Sequence, residues 1–188
     1  GLHEPLGIIA EDNHTLVVMQ RPELTRLRDT NGDGEADHYQ TLSDDFGMTG
    51  NYHEFSFGPT RDKEGNYYVG LNLASSGASI RPEIRGEFRH YGISREQFYK
   101  NHKAGSGRMY SATPYRGWIM KITPEGKTIP FAPGFRSPNG VNFDSQGRLW
   151  VTDNQGDWLG TSKLFHVKEG NFYGHPASLV WTKEWEKG

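Results

Sequence analysis

Three stretches of the chain share one pattern of apolar and polar positions: a small or apolar run, a polar turn, then a hydrophobic strand. They cover residues 7–18, 55–69 and 140–151, and their turns are rich in Asp, Asn and Gly. Apolar runs broken by such residues predict β-hairpins, because Gly and Asn tolerate the positive φ that tight turns need. A second hairpin is predicted after each. These lie over 24–42, over 117–131 around Pro124-Glu125-Gly126-Lys127, and over 162–173 around Lys168-Glu169-Gly170. Two consecutive hairpins supply four strands, which is one blade of a β-propeller. Leu16 and Tyr67 stand 51 residues apart, a blade-sized interval, whereas Tyr67 and Leu149 stand 82 apart. The longer interval leaves room for an insertion at about 75–116. A short helix is predicted there, where Ser94 and Gln97 form a capping box ahead of Phe98-Tyr99. The fold class is therefore all-β: a β-propeller region over 1–188 with about three four-stranded blades. A β-sandwich would use the same strands, but regular repetition favours a radial array. Propellers close with about four to eight blades. Three blades are thus expected to be part of a larger ring, completed by further sequence.

Composition sharpens this picture and removes several function classes. Of 188 residues, 24 are Gly and 10 are Pro, while only 34% are hydrophobic, which disfavours a helical bundle. No apolar window is long enough for a transmembrane helix. A net charge of −2 gives no electrostatic argument for nucleic acid as a partner. The chain has no Cys, which excludes disulfides, Fe–S clusters, thiolate zinc and cysteine nucleophiles. Charge is nevertheless uneven. Residues 81–121 carry nine Lys/Arg against three acids, and residues 1–60 carry eleven acids against three Arg. A basic loop of this kind either binds an anionic ligand or docks on acidic neighbours. The chain opens with Gly-Leu-His and shows no signal-peptide pattern, and it is read as a piece of a longer protein.

The sharpest local motif is Asp29-Thr30-Asn31-Gly32-Asp33-Gly34-Glu35-Ala36-Asp37. Oxygen side chains at alternating positions, with Gly at the sixth, suit a loop that wraps a hard cation. Asp29, Asn31, Asp33 and Asp37 are the expected side-chain ligands, with Glu35 giving its backbone carbonyl. Position twelve is Gln40 and strands flank the loop, so the expectation is an EF-like calcium loop in a hairpin rather than an EF-hand. An Asn-Gly/Asp-Gly turn that binds nothing is the alternative.

A second region runs through Gly134-Phe135-Arg136-Ser137-Pro138-Asn139-Gly140-Val141, then Thr152-Asp153-Asn154-Gln155-Gly156-Asp157-Trp158, and ends at Gly170-Asn171-Phe172-Tyr173-Gly174-His175-Pro176. Here the chain resembles the soluble glucose/sorbosone dehydrogenase family, six-bladed propellers that use pyrroloquinoline quinone (PQQ) and calcium. The resemblance covers 134–176 and, more loosely, the hairpin at 53–72. The wording of 153–158, with the calcium-like loop, looks most like the large "membrane-bound dehydrogenase-like" propellers of environmental bacteria. The resemblance implies a six-bladed ring that oxidises a sugar or related alcohol by hydride transfer to PQQ. It places Arg136 and Gln155 as quinone contacts, the Gly156 carbonyl beside the catalytic calcium, and Asp157 as a further calcium ligand. Ser137 and Asp157 stand where the family has Asn and Pro. His53, before Phe57-Gly58-Pro59, takes the place of the general base, about three residues closer to the strand than in the family. Imidazole titrates where a hydroxyl proton can be removed. Trp158 is read as a sugar-stacking platform or a core residue. The same resemblance implies a periplasmic or secreted protein with a cytochrome as possible electron acceptor. A calcium-dependent sugar-lactonase propeller and a non-catalytic carbohydrate- or protein-binding propeller are the other two readings.

Overall fold

The computed structural model describes residues 1–75, 84–89, 96, 108–157 and 159–185. Strands β1 (Gly7–Asp12), β2 (Thr15–Met19), β3 (Leu24–Arg28) and β4 (His38–Ser43) are followed by the two-residue β5 (Met48–Thr49). The hairpin β6 (Ser56–Arg61) and β7 (Tyr67–Leu71) comes next. After it come three more two-residue strands, β8 (Ala74–Ser75), β9 (Ile84–Arg85) and β10 (Met109–Tyr110). The chain then forms β11 (Trp118–Ile122), β12 (Thr128–Pro133), β13 (Pro138–Phe143), β14 (Leu149–Asp153) and β15 (Lys163–Val167), and ends in a 3₁₀ helix, Pro176–Trp181. The sheets are antiparallel: β1-β2-β3-β4, β12-β11-β7-β6 and β13-β14-β15, with β5 paired to β9 and β8 to β10.

The two hairpins of the second sheet are joined across the long interval, as the repeat pattern predicts, by β7 pairing with β11. Alternation along these strands decides the packing. Tyr67, Val69, Leu71, Trp118, Met120 and Ile122 share one core with Val17, Met19, Leu24 and Leu42 of the first sheet. The opposite face gives Tyr68, Ile119 and Ala132 to a second core with Leu149, Val151 and Val167 of the third sheet. The middle sheet is therefore covered on both faces, and β7 is buried throughout. The outer sheets each keep one open face, where Ile8 is 60% and Leu164 63% exposed.

β1, β6 and β13, the first strand of each sheet, lie side by side as the inner strands of a propeller. Their backbones come very close. A Cβ on Gly7 would lie 1.6 Å from the Gly58 carbonyl oxygen, and one on Gly70 would lie 2.6 Å from that of Pro138.

Two details differ from the hairpin pattern. The third sheet has three strands, because only β15 forms from the stretch 162–173. After the turn at Gly170 the chain runs beside β12, with Gly170, Tyr173 and His175 N–H groups donating to the carbonyls of Phe131, Pro133 and Gly134. The Tyr173 ring stacks on Phe135 at 5.0 Å and meets Phe165 at 5.1 Å, which holds the segment there instead of in a fourth strand. Within 75–116 the described residues form the short pairings of β9 and β10, and Glu96, within the helix expected after Ser94, is helical; Ser94 and Gln97 themselves lie outside the described residues. Among the described residues no helix is long and apolar enough to cross a membrane.

The seam at Gly7 gives a direct test. Gly7→Ala is expected to cost about 3 kcal/mol in urea denaturation, since backbone must move to admit the methyl group. Gly160→Ala, with nothing within 4 Å, is expected to stay within about 0.5 kcal/mol of the parent.

Candidate functional site

Each candidate side chain sits at a strand end, and strand direction decides which rim it joins. His53 precedes β6, Asn72 follows β7, Arg136 precedes β13 and Asn154 follows β14. In antiparallel hairpins the start of one strand and the end of the next lie at the same end, so all four residues share a rim. They line one cavity of about 570 Å³, together with Asp153 and Ser162.

The polar groups of this cavity are incompletely paired. Among the described residues, His53 Nδ1, Asn72 Oδ1 and Arg136 Nε are buried and make no hydrogen bond. The surrounding backbone, by contrast, is tightly held. Asp153 Oδ1 accepts the Ser137 N–H at 2.7 Å, both its oxygens stand 3.2 Å from the Arg136 N–H, and Lys163 Nζ lies 3.8 Å away. Burial pushes the Asp153 carboxyl up, while the two amides and Lys163 pull it back. The His53 N–H donates to Asn51 Oδ1 at 3.0 Å and its ring packs 4.1 Å from Tyr52. Burial lowers the His53 pKa and the Arg136 charge lowers it further, so the imidazole is neutral at pH 7.

The structure thus brings His53 and Arg136 together. Gln155 is exposed, its N–H on Asn154 Oδ1 at 2.9 Å, and Asn154 takes the place at the cavity. The Gly156 N–H donates to Leu159 O at 2.9 Å. Asp157 Oδ2 turns to the Met109 N–H at 3.1 Å and to His175 Nε2 at 3.7 Å. Trp158 lies outside the described residues. Among the described residues no three His, Asp or Glu side chains are grouped to hold a metal ion. In the β3–β4 turn, Asp29 accepts the Gly32 and Gly34 N–H groups, Asn31 that of Asp33, Asp33 that of Glu35, and Asp37 that of Thr30. Local backbone amides compete for the oxygens a cation would need. Asn72 and Asp153 are among the cavity residues the sequence reading missed. Only their place, directly after or at the end of an apolar strand run, could have marked them.

His175 stands behind the cavity. Its Nδ1 accepts the Ala177 N–H at 3.3 Å and caps the 3₁₀ helix. Burial brings its pKa down to about 4, with Asp157 opposing and Arg136 and Lys163 adding to the shift.

These sheets, packed in series about their inner strands with a cavity at one end, define a β-propeller. The fold is similar to that of a glucose dehydrogenase, with TM-score 0.50 and 12% identity over 92% of this chain and 68% of that one. It is likewise similar to a second glucose dehydrogenase crystal structure, with TM-score 0.50 and 12% identity over 94% of this chain and 64% of that one. A PQQ-bound aldose sugar dehydrogenase from Streptomyces coelicolor aligns at TM-score 0.38 and 17% identity, over 94% and 63% of the two chains. The chain spans about two thirds of the length of these structures. No family model and no curated protein matches the sequence. At such identities the likeness is one of fold.

The neutral, buried His175 gives a signed pH dependence. Between pH 6.5 and 4 the unfolded chain binds a proton that folded His175 refuses, so stability is complete above pH 6.5 and falls on acidification. The slope is up to about 1.4 kcal/mol per pH unit for each such proton. His175→Asn keeps an N-cap acceptor and removes the titration. Its melting temperature is expected to fall less than the parent's between pH 6.5 and 4; equal slopes would refute the assignment.

Proposed function

We propose that this propeller belongs to a quinoprotein-type dehydrogenase of sugars or related alcohols, with cofactor and substrate meeting in the cavity of His53, Asn72 and Arg136. The observation that supports this reading most is the trio of buried, unpaired polar atoms on residues lining one cavity. An unsatisfied buried polar group costs about 1–3 kcal/mol, and a polar ligand is the natural way to offset it. About 570 Å³ lies in the range of small-molecule sites. PQQ, a planar tricarboxylate, fits the donor set: Arg136 offers a guanidinium fork, and Lys163 adds positive charge behind it. Bound there, PQQ would supply the acceptor for the hydride lost by the substrate carbon.

The protein's own part is orientation and proton removal. Neutral His53 takes the proton of the hydroxyl being oxidised, so that proton and hydride leave in different directions. Arg136 holds anionic oxygen. Asn72 Oδ1 accepts from a neighbouring hydroxyl. Asp153 keeps the Arg136–Ser137 turn in place through its backbone amides. A periplasmic or secreted location and a cytochrome as electron acceptor complete the proposal.

PQQ titration followed by protein fluorescence tests the reading. Arg136→Ala is expected to weaken binding about ten- to a hundredfold, the loss of one charge-assisted hydrogen bond. His53→Ala is expected to bind PQQ as the parent does and to lower aldose-dependent dye reduction by the full-length protein about a hundredfold or more. A parent chain that binds no PQQ but binds sugars would move the assignment to a carbohydrate-binding propeller.

A further inference from the structure

The segment that carries His53 is built around two buried cations the proposed chemistry does not use. Arg116 is fully buried, among the largest side chains to be so. Its Nε donates to Gly47 O at 2.7 Å, and one terminal nitrogen donates to Glu54 O at 3.1 Å, Phe55 O at 3.0 Å and Ser56 Oγ at 3.2 Å. The other reaches Arg21 O at 3.4 Å. Arg21 in turn donates to Thr49 O at 3.1 Å and to Asn51 O. Five carbonyls of residues 47–55 thus face two guanidiniums. Buried loop carbonyls need donors, and only a planar fork can serve so many directions at once.

Charge and backbone fit the same picture. Fully buried Glu54 accepts the Thr49 N–H; burial pushes its carboxyl up, while the Arg116 and Arg21 charges pull it back. Tyr115, next to Arg116, holds φ +63°, a strained value for a non-glycine residue and one that persists only where surroundings impose it. From this loop Asn51 Oδ1 takes both the His53 and Ser75 N–H groups, tying the loop to the strand end beyond Asn72.

We propose that Arg116 is a positioning residue of the cavity: with Arg21 it fixes the loop 47–56 so that the His53 imidazole is held close to Arg136. The proposal deepens the functional reading above, since His53 is the base of that reading, but it concerns geometry that exists without any ligand. The charged groups lining the cavity with His53 are Arg136, ahead of β13, and Asp153, at the end of β14. The Arg136 charge is the one that acts on its titration.

The test is a double-mutant cycle on the ligand-free chain, read by NMR titration of the His53 ring and assigned with His53→Gln. Arg136→Ala is expected to raise the His53 pKa toward the ordinary value of about 6.5. Arg116→Lys keeps the charge but loses the fork, and is expected to raise it too. In the Arg136→Ala background, Arg116→Lys is expected to add a smaller shift, because the field it moves His53 away from is already gone. An unchanged His53 titration in Arg116→Lys, or equal shifts in both backgrounds, would overturn the proposal and leave Arg116 as loop scaffolding. If Arg116→Lys does not fold, Ser56→Ala, which removes one acceptor and leaves both charges, is expected to give a smaller shift of the same sign. No shift there overturns the proposal equally. Coupled titration in a chain that binds no PQQ would sink the dehydrogenase reading alone.

Discussion

Everything at the candidate site depends on how closely the inner strands approach one another. Where β1 crosses β6, Gly7 meets the Gly58 carbonyl, and where β7 meets β13, Gly70 meets that of Pro138. Side chains at these positions would hold the sheets apart. With none there, the first sheet closes on the second and buries Tyr67, Val69 and Leu71, while the third closes from the other side over Tyr68. The sheets are then stitched by polar contacts: Tyr67 to Glu11, Arg26 to Tyr67, Ser43 to Thr128, and Thr60 to Asn142. Pro138 begins β13, so the approach that seats it at Gly70 also carries Arg136 to the rim where His53 stands.

The cavity is an electrostatic compromise built on that packing. Arg136 and Lys163 are set around a buried carboxyl group, Asp153, which accepts two backbone amides and lies beside one ammonium. Burial lowers the pKa of both neighbouring histidines and the Arg136 charge adds to the shift, because a further positive charge in a poorly solvated space has little compensation. The same logic applies on a larger scale beneath the loop 47–56. Burial brings Arg116 down to about 10, with Glu54 opposing and Arg21 and Arg85 adding to the shift; it is still protonated at neutral pH and donates to carbonyls and the Ser56 hydroxyl. A charge in such a place is retained where geometry needs its fork.

The sequence by itself determined the local elements. The repeated Asp-x-x-Gly turns at Asp62–Gly65 and Asp144–Gly147 form as the residues dictate: Asp62 accepts the Asn66 N–H, Asp144 accepts those of Gln146 and Arg148, and glycines with positive φ complete the bends. Alternation then placed the apolar faces, and strand parity put His53 and Arg136 at one rim. These are short-range consequences of side-chain type. What only the tertiary structure decided involves partners far apart in the chain. Asn72 and Asp153 became cavity residues because a neighbouring sheet covered them. Tyr173 left the expected fourth strand to pack between the Phe135 and Phe165 rings. Asp157 went to Met109 and His175. Arg116 reads in the sequence as one more cation of a basic stretch. Its burial exists only because the carbonyls of a loop some sixty residues earlier need donors. Local pattern carries no record of which backbone groups will be left unpaired once the sheets close.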